Sequence, residues 1–212
     1  MQSDFSWTLF QRLPVVGILR GFDRTQVEKL VTSAAAGGLC NFEVTMNSQN
    51  AADLIRMLRE ILDDRSNVGA GTVYSLPDLE AALEAGAGFI VTPVVNSNVI
   101  IECVKRQVPV FPGALSPTEI HQAFDLGASI VKVFPSDSLG PAYIKSLKGP
   151  FPGWRLMPTG GVTVETLGAY KRAGAEAFGV GSPLFDRGQV LAGNWTWVEE
   201  QTRRFVQAYE VA

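Results

Sequence analysis

The 212-residue sequence predicts one α/β domain over 1–212, a (β/α)8 barrel, and three observations predict it. Apolar runs of strand length recur eight times at near-constant spacing. Between them lie stretches with apolar residues every three or four positions, the spacing of an amphipathic helix. Several of those stretches end in glycine, which supplies a left-handed helix cap. Eight units in 212 residues is about 26 residues each, compact but within the range of that fold. An open, doubly wound sheet is the competing architecture.

The elements follow in order. PVVGIL (14–19) is apolar throughout, as expected of a parallel strand buried on both faces. RTQVEKLVTSAAAG then shows helical spacing and stops at AAAGG (34–38). CNFEVT (40–45) and NVGAGT (67–72) read as the next two strands. SLPDLEAALEAG opens at Ser75, an N-cap position with Asp78 in the first turn, and ends at EAGAG (84–88). GFIVT (88–92) and VPVFP (108–112) are strands. SPTEIHQAFDLG opens at Ser116, with Glu119 three residues on, and ends at DLGAS (125–129). SIVKVF (129–134) and RLMPT (155–159) come next, then a helix capped by Thr163 that ends at RAGAE (172–176). EAFGVG (176–181) is the eighth strand. A closing amphipathic helix spans about 194–210, with Trp195 and Trp197 expected to pack on the barrel.

Composition excludes several classes of function. Acidic residues outnumber basic ones by 21 to 18, and no basic stripe interrupts the chain, so no nucleic-acid partner is expected. No apolar run approaches the ~20 residues of a membrane span. The first residues, MQSDFSWTLFQRLP, have no basic stretch ahead of their apolar ones and do not read as a signal peptide. Cys40 and Cys103 form no CxxC and no disulfide framework, so a reducing cytoplasm is the expected compartment. Both read as small buried apolar residues. The single histidine, His121, cannot supply a His-rich metal centre, and it falls in a helix as an ordinary surface or packing residue. There is no GxSxG, no Walker loop and no GxGxxG. Chemistry is left to Lys, Glu, Arg, backbone amides or a bound Mg²⁺.

In this fold the working residues lie at the C-terminal ends of the strands. Five of the six lysines, at 29, 105, 145, 148 and 171, fall in predicted helices. Lys132 alone falls inside a strand, on the face shared by Ile130 and Phe134. If that face is the interior, desolvation lowers the amine's pKa and leaves it free to attack a carbonyl. Glu43 is the one carboxylate well inside a predicted strand, and at the interior it could move protons to and from an imine or a substrate hydroxyl. The competing reading is a structural ion pair between the two. TGGV (159–162) and VGSP (180–183) fall where barrels bind phosphate, so Gly160, Gly161, Gly181 and Ser182 are candidate phosphate ligands. Tight turns with no ligand are the alternative. Arg20, after the first strand, is a candidate oxyanion clamp, and Thr72 a donor to a substrate carboxylate.

These segments resemble the Schiff-base 2-keto-3-deoxy-6-phosphogluconate aldolase family over nearly the whole chain. The matching pieces are FEVTMNS (42–48), VGAGTV (68–73), IVTP (90–93), VKVFPS (131–136), PTGGV (158–162) and VGSPLF (180–185). The resemblance implies a (β/α)8 barrel, usually a homotrimer, that reversibly cleaves a phosphorylated keto-sugar acid to pyruvate and glyceraldehyde 3-phosphate. It implies no metal and no organic cofactor. It implies Lys132 as the Schiff-base lysine, Glu43 as the general acid/base, Thr72 as a carboxylate ligand, and Pro93 and Phe134 as lining residues. Gly160, Gly161 and Ser182 match its phosphate ligands. Asn47 stands where the gluconate enzymes carry an arginine. The asparagine-serine pair there, with ILRG (18–21) and FPSDSLGPAYIKSLK (134–148), resembles the galactonate branch. Arg20 would then supply the missing cation. Two other readings stay open: a metal-assisted short keto-acid aldolase or decarboxylase, and a non-catalytic phosphosugar-binding barrel.

Overall fold

The computed structural model describes residues 4–212, so the first three positions of the expected 1–212 domain lie outside the described residues. Nine short strands are described. They are β1 (Val15–Leu19), β2 (Asn41–Thr45), β3 (Asn67–Gly71), β4 (Ile90–Val91), β5 (Val110–Phe111), β6 (Gly113–Ala114), β7 (Val131–Val133), β8 (Leu156–Pro158) and β9 (Phe178–Val180). All pairings are parallel. One curled sheet runs β5-β4-β3-β2-β1-β9, and a second runs β6-β7-β8. The chain links the sheets through Pro112, and one parallel bridge, Thr159 to Gly179, links them on the other side.

The eight expected strand runs all contain strand, but most are shorter than expected. The run 88–92 keeps only Ile90–Val91. The run 108–112 keeps only Val110–Phe111, and β6 follows it as a separate strand at Gly113–Ala114, because the intervening Pro112 has no N–H to give to a ladder. Its carbonyl still accepts from Lys132 N–H at 2.8 Å, so the break is local. The run 67–72 ends at Gly71, because Thr72 turns to φ 57°.

The helices meet expectation closely. Ser75, Ser116 and Thr163 each accept a hydrogen bond from an N–H in the first turn that follows. Gly38, Gly86, Gly127 and Gly174 take positive φ at the ends foreseen for them. The closing helix runs Trp195–Glu210, and Trp195 and Trp197 pack half-buried on the main core. A short helix α1 (Trp7–Arg12), capped by Ser6, was not foreseen. Its Phe10 is buried in a separate cluster with Val16, Phe89, Val91, Phe111, Ile130, Met157 and Ala177. These are inward residues of the strands, so α1 plugs one end of the sheets and the other end stays open. The outward residues, such as Phe42, Val44, Val131 and Val133, join the larger cluster against the helices. Among the described residues no helix is long and apolar enough to cross a membrane.

Candidate active site

β7 carries Lys132 into the interior. Its ladder neighbours are Gly113 and Met157, and it is only 4% exposed. Val131 and Val133 face the helices, so the strand alternation expected from sequence is the one observed. The amine lies 5.0 Å from the centroid of the Phe134 ring. β2 brings Glu43 to the same interior, in register with Ile18 and Gly69. Glu43 has no solvent exposure, and among the described residues neither carboxylate oxygen has a hydrogen-bond partner. No ion pair within 4.0 Å joins it to Lys132. The structural ion pair weighed as an alternative is therefore not formed in this arrangement.

Burial sets the electrostatics of both groups. It pushes the Glu43 carboxyl up from 4.5, against the pull of Lys132 and then Arg20. It pushes the Lys132 ammonium down from 10.5, opposed by Glu43 and reinforced by Arg20. A neutral amine beside a carboxyl with free lone pairs can attack a carbonyl and exchange protons with it.

Gly71 makes the Glu43 position possible. A Cβ there would overlap the Glu43 carboxylate. The next residue, Thr72, holds φ 57°, which for a β-branched residue costs about 1–3 kcal/mol and is found where surrounding structure imposes it. Its Oγ1 accepts from Arg20 Nη2 at 3.5 Å, which ties the ends of β1 and β3 together.

A cavity of about 500 Å³ opens at this end of the sheets. Lys132, Phe134, Arg20, Gly160, Gly161, Gly181 and Ser182 line it, so most of the sequence-predicted residues converge. Gly160 and Gly161 take φ 89° and 73°, and their turn packs against the backbone of Ser136 and Asp137. The rest of the prediction stays outside that lining. Glu43 lies fully buried, and Thr72 is reached through Arg20. Pro93 is half-buried, with its carbonyl against Gly113, and Asn47 is exposed. Beside Asn47, Ser48 Oγ accepts from Gly21 N–H at 3.0 Å and bonds Thr45 Oγ1 at 2.9 Å, so the loop is held where Arg20 emerges.

Sequence reasoning missed Phe22, Asp137 and Arg187, which also line the cavity, as does Thr159 of the TGGV segment. Asp137 adjoins the VKVFPS segment already singled out, and that adjacency was the available signal. Arg187 carried none, because four residues, 183–186, separate it from Ser182. His121 is exposed, 3.4 Å from Asp125 on its own helix, and Cys40 and Cys103 are buried free thiols. Among the described residues, no group of three or more His, Cys, Asp or Glu is placed to hold a metal ion.

Two measurements probe this pair. Gly71→Ala should cost about 1–3 kcal/mol in denaturant unfolding, and adding Glu43→Ala should recover part of that loss. Equal loss in single and double variants would mean the carboxylate is not what Gly71 accommodates. The pH dependence has a definite sign. With its folded value raised, Glu43 gives stability that is full below pH 4.5 and lost as pH rises through the folded value. The stability of Glu43→Gln relative to the parent should therefore increase from pH 4.5 toward neutrality. A flat or falling difference would contradict the desolvated carboxyl.

The family model for KDPG and KHG aldolase matches residues 8–201. The chain is 34% identical over 202 residues to 2-dehydro-3-deoxy-6-phosphogalactonate aldolase of Escherichia coli, covering 95% of this chain and 97% of that one. It is also 34% identical over 200 residues to 2-dehydro-3-deoxy-phosphogluconate aldolase of Pseudomonas aeruginosa, covering 93% and 88%. A solved native KDPGal structure superposes with a TM-score of 0.87 at 33% identity, covering 99% and 98%. KDPG aldolase of Legionella pneumophila, solved with pyruvate captured as a covalent carbinolamine, superposes with a TM-score of 0.83 at 25% identity, covering 92% and 95%. This chain belongs to the KDPG and KHG aldolase family.

Proposed function

We propose that Lys132 forms the Schiff base and Glu43 moves the protons in a class I aldolase. The substrate is a 2-dehydro-3-deoxy-6-phospho sugar acid, cleaved reversibly to pyruvate and D-glyceraldehyde 3-phosphate. The chain is a carbon–carbon lyase of this type, as family membership and the carbinolamine held by its Legionella relative support. The observation that carries the residue assignment is the buried Lys132 amine, at the cavity and, among the described residues, without an ion-pair partner within 4.0 Å.

The neutral amine adds to the C2 ketone and gives a carbinolamine. Glu43, as its acid form, protonates the departing hydroxyl, and water leaves a protonated imine. The imine is an electron sink. Glu43, now the carboxylate, takes the C4 hydroxyl proton; the C3–C4 bond breaks, its electron pair enters the imine, and the aldehyde leaves. The enamine is protonated at C3, and water returns the ketone of pyruvate and the free amine. These steps draw on no metal and no organic cofactor.

Arg20 and Thr72 hold the substrate carboxylate end in this reading, with Phe134 and Pro93 against the pyruvyl portion. Gly160, Gly161, Gly181 and Ser182 receive the phosphate. Asn47 leaves Arg20 as the nearest cation to the carboxylate, which favours the galactonate epimer. The two curled sheets count as one closed eight-stranded barrel, with β5 and β6 as one strand bent at Pro112. The free buried thiols suit a cytoplasmic home. Small-molecule substrates are the only ligands this reading needs, with no nucleic acid and no membrane. Exposed Tyr74, Leu76, Val94 and Ile101 suit contacts in a homotrimer, and sedimentation should give three times the 22.9 kDa chain mass. A monomer would remove that assignment.

Pyruvate followed by borohydride should leave a reduced pyruvyl adduct on Lys132, mapped by peptide mass spectrometry. Lys132→Ala should lose the adduct and turnover together. Turnover that survives Lys132→Ala would overturn the mechanism.

A further inference from the structure

We propose that Arg187 is a specificity-determining residue that grips the phosphate end of the substrate. The inference rests on the aldolase reading above and adds a cation to a phosphate subsite otherwise built from backbone and one serine. Arg187 lines the substrate cavity together with Gly160, Gly161 and Ser182. It is exposed, and among the described residues it has no ion pair and no hydrogen bond from its side chain.

Its base is fixed. The loop after β9 folds back through N–H groups of Leu184 and Phe185 onto the Gly181 carbonyl, at 3.0 and 2.9 Å. Leu184 and Phe185 are buried, and Gln201 Nε2 donates to the Pro183 carbonyl at 2.8 Å. Arg187 then opens a short helix (Arg187–Leu191), whose N-cap is Asp186. The guanidinium therefore swings from an anchored Cα beside the open end of the cavity. A fixed base lowers the ordering cost of making a bidentate contact to phosphate.

The carboxylates around it are already engaged. Asp186 accepts from Gln189 N–H at 2.9 Å, Asp23 from Gln26 N–H at 2.9 Å, and Asp137 from Ser138 N–H at 3.0 Å. Asp137 also lines the cavity, so a phosphate dianion there meets one negative charge. Arg20 and Lys132 are committed to the carboxylate and carbonyl end of the substrate in the proposed mechanism. Arg187 is the remaining cation on the cavity wall, and it offsets Asp137 where the dianion sits. It also borders a second cavity of about 670 Å³ with Arg24 and Asn50, which gives the side chain space to move aside for product release.

The test compares the phosphorylated aldol with its unphosphorylated counterpart on the parent, Arg187→Gln and Arg187→Lys. Loss of a charge-assisted contact should lower kcat/KM for the phosphorylated substrate about 10- to 100-fold in Arg187→Gln. The ratio of kcat/KM values, phosphorylated over unphosphorylated, should fall by the same factor, and Arg187→Lys should recover part of it. Pyruvate trapping on Lys132 should proceed in Arg187→Gln as in the parent, which shows that the site is still folded. A ratio unchanged within twofold, or an equal loss with both substrates, would overturn the role of Arg187. Failure of the parent itself to form the pyruvate adduct would instead remove the aldolase reading.

Discussion

The amine of Lys132 and the carboxyl of Glu43 share an interior with no ion pair within 4.0 Å between them, and among the described residues the Glu43 oxygens accept no hydrogen bond. Taking either charge out of water is costly unless a partner compensates, and here burial is the largest influence on both. A flexible frame would relax by drawing the two together or by admitting water. The parallel ladders on either side of β2 and β7 prevent the first. Strand register sets where each Cα sits, and strand alternation sets which way each side chain points.

That constraint shapes the surroundings. Glu43 needs an empty volume on the neighbouring strand, and Gly71 supplies it. The backbone immediately after Gly71 must then turn sharply, and Thr72 does so in a conformation that a β-branched residue adopts only under restraint. Arg20 restrains it through the hydroxyl. Pro112 interrupts the ladder beside Lys132 yet keeps its carbonyl bonded to the Lys132 N–H. At the opposite end, Phe10 of α1 closes the interior with the apolar cluster of Phe89, Phe111 and Ile130. One end is sealed with aromatic rings, and the other holds groups that stability alone would not select. Sites of this kind trade folding free energy for reactivity.

The end proposed to receive the phosphate is built on different physics. Gly160 and Gly161 adopt positive φ, so their turn can lie directly against the Ser136–Asp137 backbone. Backbone N–H groups in such turns reach an anion without the rotamer entropy of a long side chain. A guanidinium on an anchored loop adds charge where backbone dipoles alone give direction. In the proposed reading the reacting carbon and the phosphate are held by separate loops of one frame, so remote binding energy can orient the reacting centre.

The sequence by itself determined the strand–helix alternation, the helix caps at Ser75, Ser116 and Thr163, and the closing helix, because periodicity and capping act over a few residues. It also singled out Lys132 and Glu43, since a charge within an apolar strand is expensive wherever the strand lies. Gly160, Gly161, Gly181 and Ser182 were legible from their place after the last two strands. What it did not contain was distance across the interior. Only the tertiary structure decided that α1 is a plug, because six residues carry too little periodicity and Phe10 is explained by partners on other strands. Only it decided that Gly71 serves Glu43, that Thr72 is strained, and that Asn47 stays exposed away from the cavity lining. Arg187 is the clearest case: nothing local marks it, and its place beside Gly160 arises from the fold bringing the loops after β8 and β9 to one cavity. Local rules act through neighbours in sequence, whereas a site is made by neighbours in space.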